Sequence, residues 1–208
     1  GIDITMFMSD MNLNENLSST PQDRRELMDL VERMQGAFTT IAKSKIPTIA
    51  LAHGFCIGGA TSLVSACDIR LATKDAKFSI GETKLGLVAD VGVIQRMPKI
   101  VSSGDMNELA LTGRIFDGEH AEKIRFVSKA YENSDELFEA GEKLANEISS
   151  NSKRIVQATK EALEKSSNLT VDQGLEYAKL WSTSFLVSED LREGVMAFLE
   201  KRDPKFNE

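Results

Sequence analysis

The sequence predicts an α/β fold, and three observations indicate it. An apolar run at residues 48–52 is too short for a helix and ends in a glycine turn. A run of small residues at 60–67 follows the turn and is long enough for a short helix. Residues 68–73 and 76–80 then form two further strand-like runs, so strands and a helix alternate along this stretch.

Composition and charge exclude several function classes. With 208 residues, of which 41% are hydrophobic, the chain can bury a sizeable core. Its net charge of -7 argues against a broad nucleic-acid surface, and no nucleic-acid partner is expected. No apolar run approaches the roughly 20 residues that a spanning helix needs, so no membrane insertion is expected. Cys56 and Cys67 lie in apolar surroundings, which favours buried thiols in a reducing compartment over a disulfide framework.

A long helix is expected to open the ordered part of the chain. Thr20 is a candidate N-cap, and Pro21 suits the first helical position. Apolar residues then recur at steps of three and four up to about Lys43, which marks one buried face. Pro47 ends this pattern, and the strand at residues 48–52 follows.

The second half of the sequence differs from the first, because nearly every segment beyond residue 103 has helical periodicity. We therefore expect two parts, an α/β core at residues 1–103 and a helical region at residues 104–208. The helices predicted there, with one short strand at residues 125–130, cover residues 105–111, 119–123, 134–149, 152–165, 171–186 and 189–201.

A glycine pair stands between the first predicted strand and the helix that follows it. Backbone N–H groups at a helix N-terminus can point at a developing negative charge, which would make Gly58 and Gly59 half of an oxyanion hole. Spacing alone leaves a second interpretation open, in which the glycines only permit a tight turn and close helix packing. The glycine spacing of a Rossmann turn or a P-loop is absent, so no nucleotide site is predicted.

Two carboxylates, Glu82 and Asp90, lie in a segment at residues 78–91 that is rich in apolar residues and punctuated by glycine. Charged side chains are seldom buried without a partner, so acids in such a segment indicate proton chemistry on an apolar substrate. Gly86 lies between them, which suits two sides of a loop that folds over a pocket. The alternative makes Glu82 a solvated loop acid and Asp90 the N-cap of a short helix that starts near Val91.

The sequence offers few residues that could form another nucleophilic site or a metal site. His53 and His120 are the only histidines in the sequence, which argues against a Ser-His-Asp triad or a histidine-rich metal site. His53, at the end of a strand, is expected to be a hydrogen-bonded core residue. Ser62 lacks the nucleophile-elbow pattern and is expected on a helix surface. No zinc-ligand spacing is present, so no metal is expected.

Several motifs, taken together, resemble the crotonase superfamily of enoyl-CoA hydratases and isomerases. They are Gly1-Ile2-Asp3, the run from His53 to Gly59, the run from Ala66 to Arg70, Leu109 with Thr112-Gly113-Arg114, and the run from Glu193 to Arg202. The likeness covers nearly the whole chain. It implies a crotonase-like spiral core of ββα units followed by a C-terminal helical trimerisation region. The family's first strands would lie upstream of Gly1, so the N-terminal strands are expected to be missing from this chain.

The resemblance implies an acyl-CoA thioester as the substrate. The peptide N–H groups of Ile2 and Gly59 would hold the thioester oxygen and stabilise the enolate that forms when an α proton leaves. It implies homotrimers or homohexamers, and no cofactor other than the coenzyme A of the substrate. It also implies substrate contacts for Asp3, Ile57 and Gly58. Lys201 and Lys205 would contact the CoA phosphates.

Within the superfamily, Glu82 paired with Asp90 resembles the delta(3,5)-delta(2,4)-dienoyl-CoA isomerases. In these enzymes the glutamate takes a proton from carbon 2 and the aspartate supplies one at carbon 6. Two departures stand out. Ser62 occupies a place where hydratases carry glutamate and these isomerases carry aspartate, and Arg125 occupies a place where the family usually has glycine, with an effect expected only on local packing.

Two alternatives to a dienoyl-CoA isomerase stay open. One is another crotonase isomerase or hydratase that uses Glu82 alone. The other is a non-catalytic acyl-CoA-binding member, which Ser62 favours. The expected location is intracellular, in the cytoplasm of a bacterium or in the mitochondrion or peroxisome of a eukaryote.

Overall fold

Residues 20–206 are described by a computed structural model of the chain, and they divide into two compact units. The first unit holds residues 20–44 and Thr48–Glu139, and the second holds Lys45–Pro47 and residues 140–206. The boundary expected near residue 103 rests on a change of secondary structure, not on packing, and stays a prediction. Within residues 20–206, the helices are all too short or too polar to span a lipid bilayer.

The predicted first helix, α1, spans Pro21–Ala42. Thr20 caps it through a reciprocal capping box, in which its hydroxyl accepts from the Asp23 N–H and its own N–H donates to the Asp23 carboxylate. Proline at the first helical position adds to this start because the missing N–H would have no helical partner there. The expected helix is therefore confirmed, whereas the face expected to be buried is only partly covered among the described residues.

Two small sheets form the α/β part of the first unit. In the first, parallel strands run in the order β1, β3, β6, with bounds Ile49–Ala52, Ile69–Thr73 and Lys129–Tyr131. In the second, β4 pairs parallel with β2 and antiparallel with β5, with bounds Phe55–Ile57 for β2, Lys77–Ser79 for β4 and Phe116–Asp117 for β5. Helix α2, Gly59–Ala66, connects β2 to β3 and so crosses from one sheet to the other.

The remaining helices beyond residue 103 follow the predicted periodicity, and one further helix of a single turn precedes them. They are α3 Val93–Arg96, α4 Ser103–Thr112, α5 Gly118–Lys123, α6 Ser134–Ser149, α7 Lys153–Ser166, α8 Val171–Phe185 and α9 Glu189–Glu200, with 3-10 turns at Gly81–Leu85 and Met97–Lys99. Side chains cap the N-termini of most of them, among them those of Ser102, Asp117, Ser152, Thr170 and Ser188.

The strand predicted at residues 125–130 is wrong in position, because β6 begins only at Lys129. The Phe126 N–H donates instead to the Ala121 carbonyl at 2.8 Å, which closes the C-terminus of α5. Arg125 adopts a φ of 67°, a left-handed conformation that favours glycine. Arginine at this position therefore costs strain in the backbone itself, beyond the effect on local packing that the resemblance led us to expect.

Three phenylalanines on different segments form the centre of the first unit's core. Phe78 of β4 stacks on Phe116 of β5, with ring centroids 5.5 Å apart, and meets Phe126 edge to face at 5.5 Å. All three rings are buried. Aromatic pairs at such distances contribute about 0.5–1.5 kcal/mol beyond their buried area. This cluster fixes β4, whose end leads directly into the segment that carries Glu82.

The start of α5 leaves no room for a side chain at Gly118. A Cβ atom there would overlap the carbonyl oxygen of Thr73 in β3, and the Gly118 N–H donates to the neighbouring Lys74 carbonyl at 2.9 Å. Gly118→Ala should therefore lower the free energy of unfolding by about 1–3 kcal/mol, because backbone atoms must move apart. Urea denaturation followed by circular dichroism measures this loss.

Gly36→Ala is the matched control for that substitution. Gly36 is exposed in the interior of α1, and a methyl group added there would have open space around it, with no contact within 4 Å among the described residues. Alanine there should raise stability by about 0.5–1 kcal/mol because of its higher helix propensity. Equal effects of the two substitutions would contradict the close approach at Gly118.

Candidate active site

The turn between β2 and α2 is built by two glycines with different tasks. Gly58 has a φ of 58°, in the left-handed region, and its N–H donates to the Ser79 carbonyl of β4 at 2.9 Å. Gly59 is the first residue of α2, where a backbone N–H has no acceptor within the helix. The Thr61 hydroxyl, donating to the Ser79 carbonyl at 3.0 Å, anchors this helix start on the sheet.

The carboxylate of Glu82 lies against this turn. Its Oε1 is 3.3 Å from the position that a Cβ on Gly58 would occupy, so any side chain at Gly58 would press on it. Its Oε2 is buried and has no hydrogen-bond partner among the described residues. Glu82 is therefore a half-buried acid beside the start of α2, and the interpretation as a solvated loop acid is wrong.

Burial is the main reason that the pKa of Glu82 lies above its usual value of 4.5. The negative charge of Asp90 raises that pKa further, whereas a hydrogen bond from the Glu82 backbone lowers it. The two acids thus interact electrostatically, as expected for two sides of one site. A carboxylate with a raised pKa is a stronger base once it is ionised, which suits proton abstraction from carbon.

Asp90 has an exposed side chain on the loop that follows. The helix expected to start near Val91 starts at Val93 with Gly92 as its N-cap, so the interpretation of Asp90 as a helix cap is wrong. The Asp90 carbonyl oxygen accepts a hydrogen bond from Gln35 Nε2 at 2.7 Å. The backbone of Asp90 is therefore held while its carboxylate stays accessible.

Arg96 adds a second tie between this loop and α1. Its guanidinium donates to the Val91 carbonyl and to the Thr39 hydroxyl, each at 3.2 Å. Together with Gln35, these contacts hold residues 90 and 91 against α1. Sequence reasoning missed Gln35 and Thr39, because a helix residue more than 50 positions upstream carries no local signal of such a contact.

The segment between the two acids presents an apolar surface. Leu85, Leu87 and Val88 are exposed, with 58%, 44% and 78% of their surface accessible. Exposed aliphatic side chains beside a half-buried acid suit an apolar substrate such as an acyl chain.

Within residues 20–206, no group of histidine, cysteine, aspartate and glutamate side chains has the geometry of a metal site.

Other residues predicted for the site have mixed outcomes. Ile57 is partly buried at the end of β2, directly before Gly58. Ile2 and Asp3 lie outside the described residues, so their predicted roles stay predictions. Two expectations are wrong: Ser62 is fully buried rather than on a helix surface, and His53 is exposed rather than in the core.

His53 lies outside the core because β1 ends at Ala52, one residue earlier, and the chain turns outward. The imidazole ring meets the Phe138 ring edge to face, with centroids 5.8 Å apart. Ser62 is buried because the small-residue helix α2 packs against α1, α3 and β2, which cover most of its sides.

In the second unit, Glu193 ties the chain end to α9. Its carboxylate accepts two hydrogen bonds from the Arg202 guanidinium, at 2.6 and 3.0 Å, and one from the Lys205 N–H at 2.7 Å. The Arg202 bonds, followed by the Lys205 bond, lower the pKa of Glu193 to about 2. Lys201, the C-cap of α9 with a φ of 53°, and Lys205 have exposed side chains.

Glu82→Gln should raise the free energy of unfolding at neutral pH, since it removes a carboxylate whose ionised form is disfavoured by burial. The unfolded chain ionises this group near its usual pKa of 4.5, and the folded chain does so at a higher pKa. Between these values the native state binds more protons, so the wild type loses stability as pH rises through this window. The gain in free energy of unfolding of the variant over wild type should reach its full size above the pKa of Glu82 in the folded chain. It should be absent below about pH 4.

Chemical denaturation across this pH range, on wild type and variant, measures that gain. Glu32→Gln, which changes an exposed glutamate of α1, is the matched control and should show no such pH-dependent gain. A Glu82→Gln variant that is less stable than wild type at neutral pH would contradict the buried, unpartnered carboxylate.

Known proteins resemble this chain in sequence over most of its length. The family model described as enoyl-CoA hydratase/isomerase matches residues 5–208. A mitochondrial Delta(3,5)-Delta(2,4)-dienoyl-CoA isomerase from Dictyostelium discoideum is 46% identical over 188 residues, which are 90% of this chain and 64% of that protein. A peroxisomal protein of the same name from Arabidopsis thaliana is 39% identical, over 99% of this chain and 74% of its own length.

Solved structures give the same fold. The enoyl-CoA hydratase from Bacillus anthracis superposes with a TM-score of 0.82 at 27% identity, covering 93% of this chain and 74% of that one. The chain spans less than two thirds of the length of its Dictyostelium discoideum relative. The crotonase fold expected from the sequence is confirmed, and with a family model that matches all but its first four residues the chain belongs to the enoyl-CoA hydratase/isomerase family.

Proposed function

We propose that this chain is the catalytic part of a dienoyl-CoA isomerase, which converts a 3,5-dienoyl-CoA to a 2,4-dienoyl-CoA in fatty-acid β-oxidation. The observation that carries the proposal is the buried Glu82 carboxylate, seated against the Gly58 turn and electrostatically coupled to Asp90. Two relatives that carry the name of this activity, at 46% and 39% identity, support it.

The proposed reaction moves one proton off the acyl chain and another onto it. Glu82 takes a proton from carbon 2, and the electron pair of that C–H bond spreads over the thioester carbonyl and both double bonds. Asp90 then supplies a proton at carbon 6, which leaves double bonds at carbons 2 and 4. Burial, and to a smaller extent the negative charge of Asp90, raises the pKa of Glu82, which makes Glu82 a stronger base once it is ionised.

The thioester oxygen would accept hydrogen bonds from backbone N–H groups. Gly59 supplies one at the start of α2, where the helix dipole also favours negative charge. By the family resemblance, Ile2 supplies the other, with Asp3, Ile57 and Gly58 lining the substrate. Losing one such donor typically costs about 2.7–4 kcal/mol of transition-state stabilisation.

The wider setting is part of the same proposal. Lys201 and Lys205 would meet the CoA phosphates, and no cofactor is required beyond the coenzyme A of the substrate. The helical C-terminal region would form homotrimers or homohexamers, as the family resemblance implies. In a eukaryote the mitochondrion or the peroxisome would be the compartment, following the printed names of the two relatives.

The competing function is that of a crotonase isomerase or hydratase that uses Glu82 alone. The exposed side chain of Asp90 favours it, because an acid open to water is less constrained than a buried one. The two functions differ in what they require of Asp90, and this difference makes them separable by one substitution.

Asp90→Asn should lower dienoyl turnover by at least about a hundredfold, because it removes the proton donor at carbon 6. The measurement is the absorbance of the conjugated 2,4-dienoyl product after a 3,5-dienoyl-CoA is added to the full-length protein. Asp29→Asn, which changes an exposed acid of α1, is the control and should leave turnover unchanged.

Three outcomes separate the candidate functions. Wild-type turnover that Asp90→Asn abolishes supports the dienoyl isomerase. Unchanged turnover in Asp90→Asn, or hydration of a 2-enoyl-CoA in place of isomerisation, supports the enzyme that uses Glu82 alone. Binding of the thioester without proton exchange at carbon 2 supports the non-catalytic alternative.

Lys201→Gln with Lys205→Gln should weaken CoA-thioester binding by about two- to fivefold, since exposed charge pairs contribute only modestly. The loss should shrink at high salt, because ions screen exposed charges. Calorimetry with a non-reactive acyl-CoA measures the affinity. Lys153→Gln, at an exposed position of α7, is the control, and equal affinities in all variants would remove both lysines from the proposed CoA contacts.

A further inference from the structure

Two buried polar atoms border the Gly58 turn and have no hydrogen-bond partner among the described residues, Ser62 Oγ and Glu82 Oε2. Ser62 is fully buried near the start of α2. Buried hydroxyl and carboxylate oxygens are nearly always hydrogen-bonded in folded proteins, because leaving one unpaired costs free energy. Two such atoms in one region therefore point to a shared interaction.

Both side chains are neighbours of Gly58. The Ser62 N–H donates to the Gly58 carbonyl at 3.1 Å, which places Ser62 one helical turn beyond it. The Glu82 carboxylate also lies beside Gly58, with Oε1 3.3 Å from the position that a Cβ on Gly58 would occupy. Ser62 and Glu82 thus both adjoin Gly58, one through a backbone hydrogen bond and the other through its carboxylate.

The other hydroxyls of α2 have their own partners. The Thr61 hydroxyl donates to the Ser79 carbonyl at 3.0 Å, and the Ser65 hydroxyl donates to the Ser62 carbonyl at 2.7 Å. Ser62 is therefore the hydroxyl of this helix that backbone carbonyls do not engage. It is also the position at which this chain departs from the acids of the family.

We propose that Ser62 is a positioning residue for Glu82, with one water molecule accepting from the Ser62 hydroxyl and donating to Glu82 Oε2. The inference rests on the proposed function, in which Glu82 is the base. A buried water with two or more polar partners is an ordinary structural element. The bridge orients the carboxylate toward carbon 2 and stabilises its ionised form.

A neutral hydroxyl at this position acts differently from an acid. A hydrogen bond to the ionised carboxylate lowers the pKa of Glu82 and so opposes the effect of burial. A carboxylate in the same place would repel Glu82 and raise that pKa instead. Serine thus keeps Glu82 ready to accept a proton while Asp90 remains the acid that opposes it.

The first test measures the Glu82 carboxyl itself, without substrate. Carbon-13 NMR of protein labelled at glutamate side chains follows the titration, and Glu82→Gln identifies the signal. In Ser62→Ala the midpoint should move to higher pH. Ser62→Cys keeps a side chain of similar volume but with a weak hydrogen-bond donor, so its midpoint should also move to higher pH. Ser62→Thr keeps the hydroxyl and should have the wild-type midpoint.

Ser65→Ala is the matched control, since it removes another buried hydroxyl from the same helix. Its Glu82 midpoint should equal that of the wild type. A midpoint that is the same in wild type, Ser62→Ala and Ser62→Cys would overturn the proposed link, whether or not the protein isomerises dienoyl-CoA.

The second test uses dienoyl turnover as a function of pH. In Ser62→Ala, kcat should fall about three- to tenfold on the acid side of the profile, because less of the base is ionised, whereas KM changes little. A midpoint that moves in the NMR titration of a protein without dienoyl turnover keeps the link between Ser62 and Glu82 and overturns the proposed function. If the wild type turns over the dienoyl-CoA and Ser62→Ala has the same pH profile of kcat, the proposed link between Ser62 and Glu82 is overturned. The proposed function then stands.

Discussion

The candidate site depends on the left-handed turn at Gly58. Its φ of 58° lets β2 pass directly into α2, and the missing side chain lets the Glu82 carboxylate approach within contact distance of the turn. Any larger residue would strain the backbone and push the carboxylate away. One glycine therefore determines where the strand ends, which N–H groups begin the helix and where the Glu82 carboxylate lies.

The backbone of the loop after Glu82 is held at two of its carbonyl groups. Gln35 bonds the Asp90 carbonyl and Arg96 bonds the Val91 carbonyl, so α1 fixes the path of the chain. The Asp90 carboxylate takes no part in these bonds and remains accessible. Backbone hydrogen bonds can position an acidic residue in this way and leave its carboxylate available to a substrate.

Much of this arrangement can be read from local sequence. The Thr20 cap, the apolar spacing of α1 and the run of small residues in α2 depend on neighbours within a few positions, and these features predict where the two helices lie. The strands β2 and β5, of three and two residues, are too short to show a period, so the sequence does not reveal them. The burial of Ser62, the exposure of His53 and the contact of Gln35 with Asp90 arise from tertiary packing, which no local pattern encodes.

The charge balance of the site explains why one acid is buried and the other is not. Burying both carboxylates would require both to lose their hydration without a cationic partner, which the protein would avoid by keeping both protonated. Burying only Glu82 raises its proton affinity, and exposing Asp90 leaves that group its solvation. Burial alone favours the protonated form of Glu82, which suits an acid better than a base. The proposed role of Glu82 as the base therefore requires a hydrogen bond to its ionised carboxylate that offsets burial, and the buried, unpartnered Oε2 is the atom that could accept it.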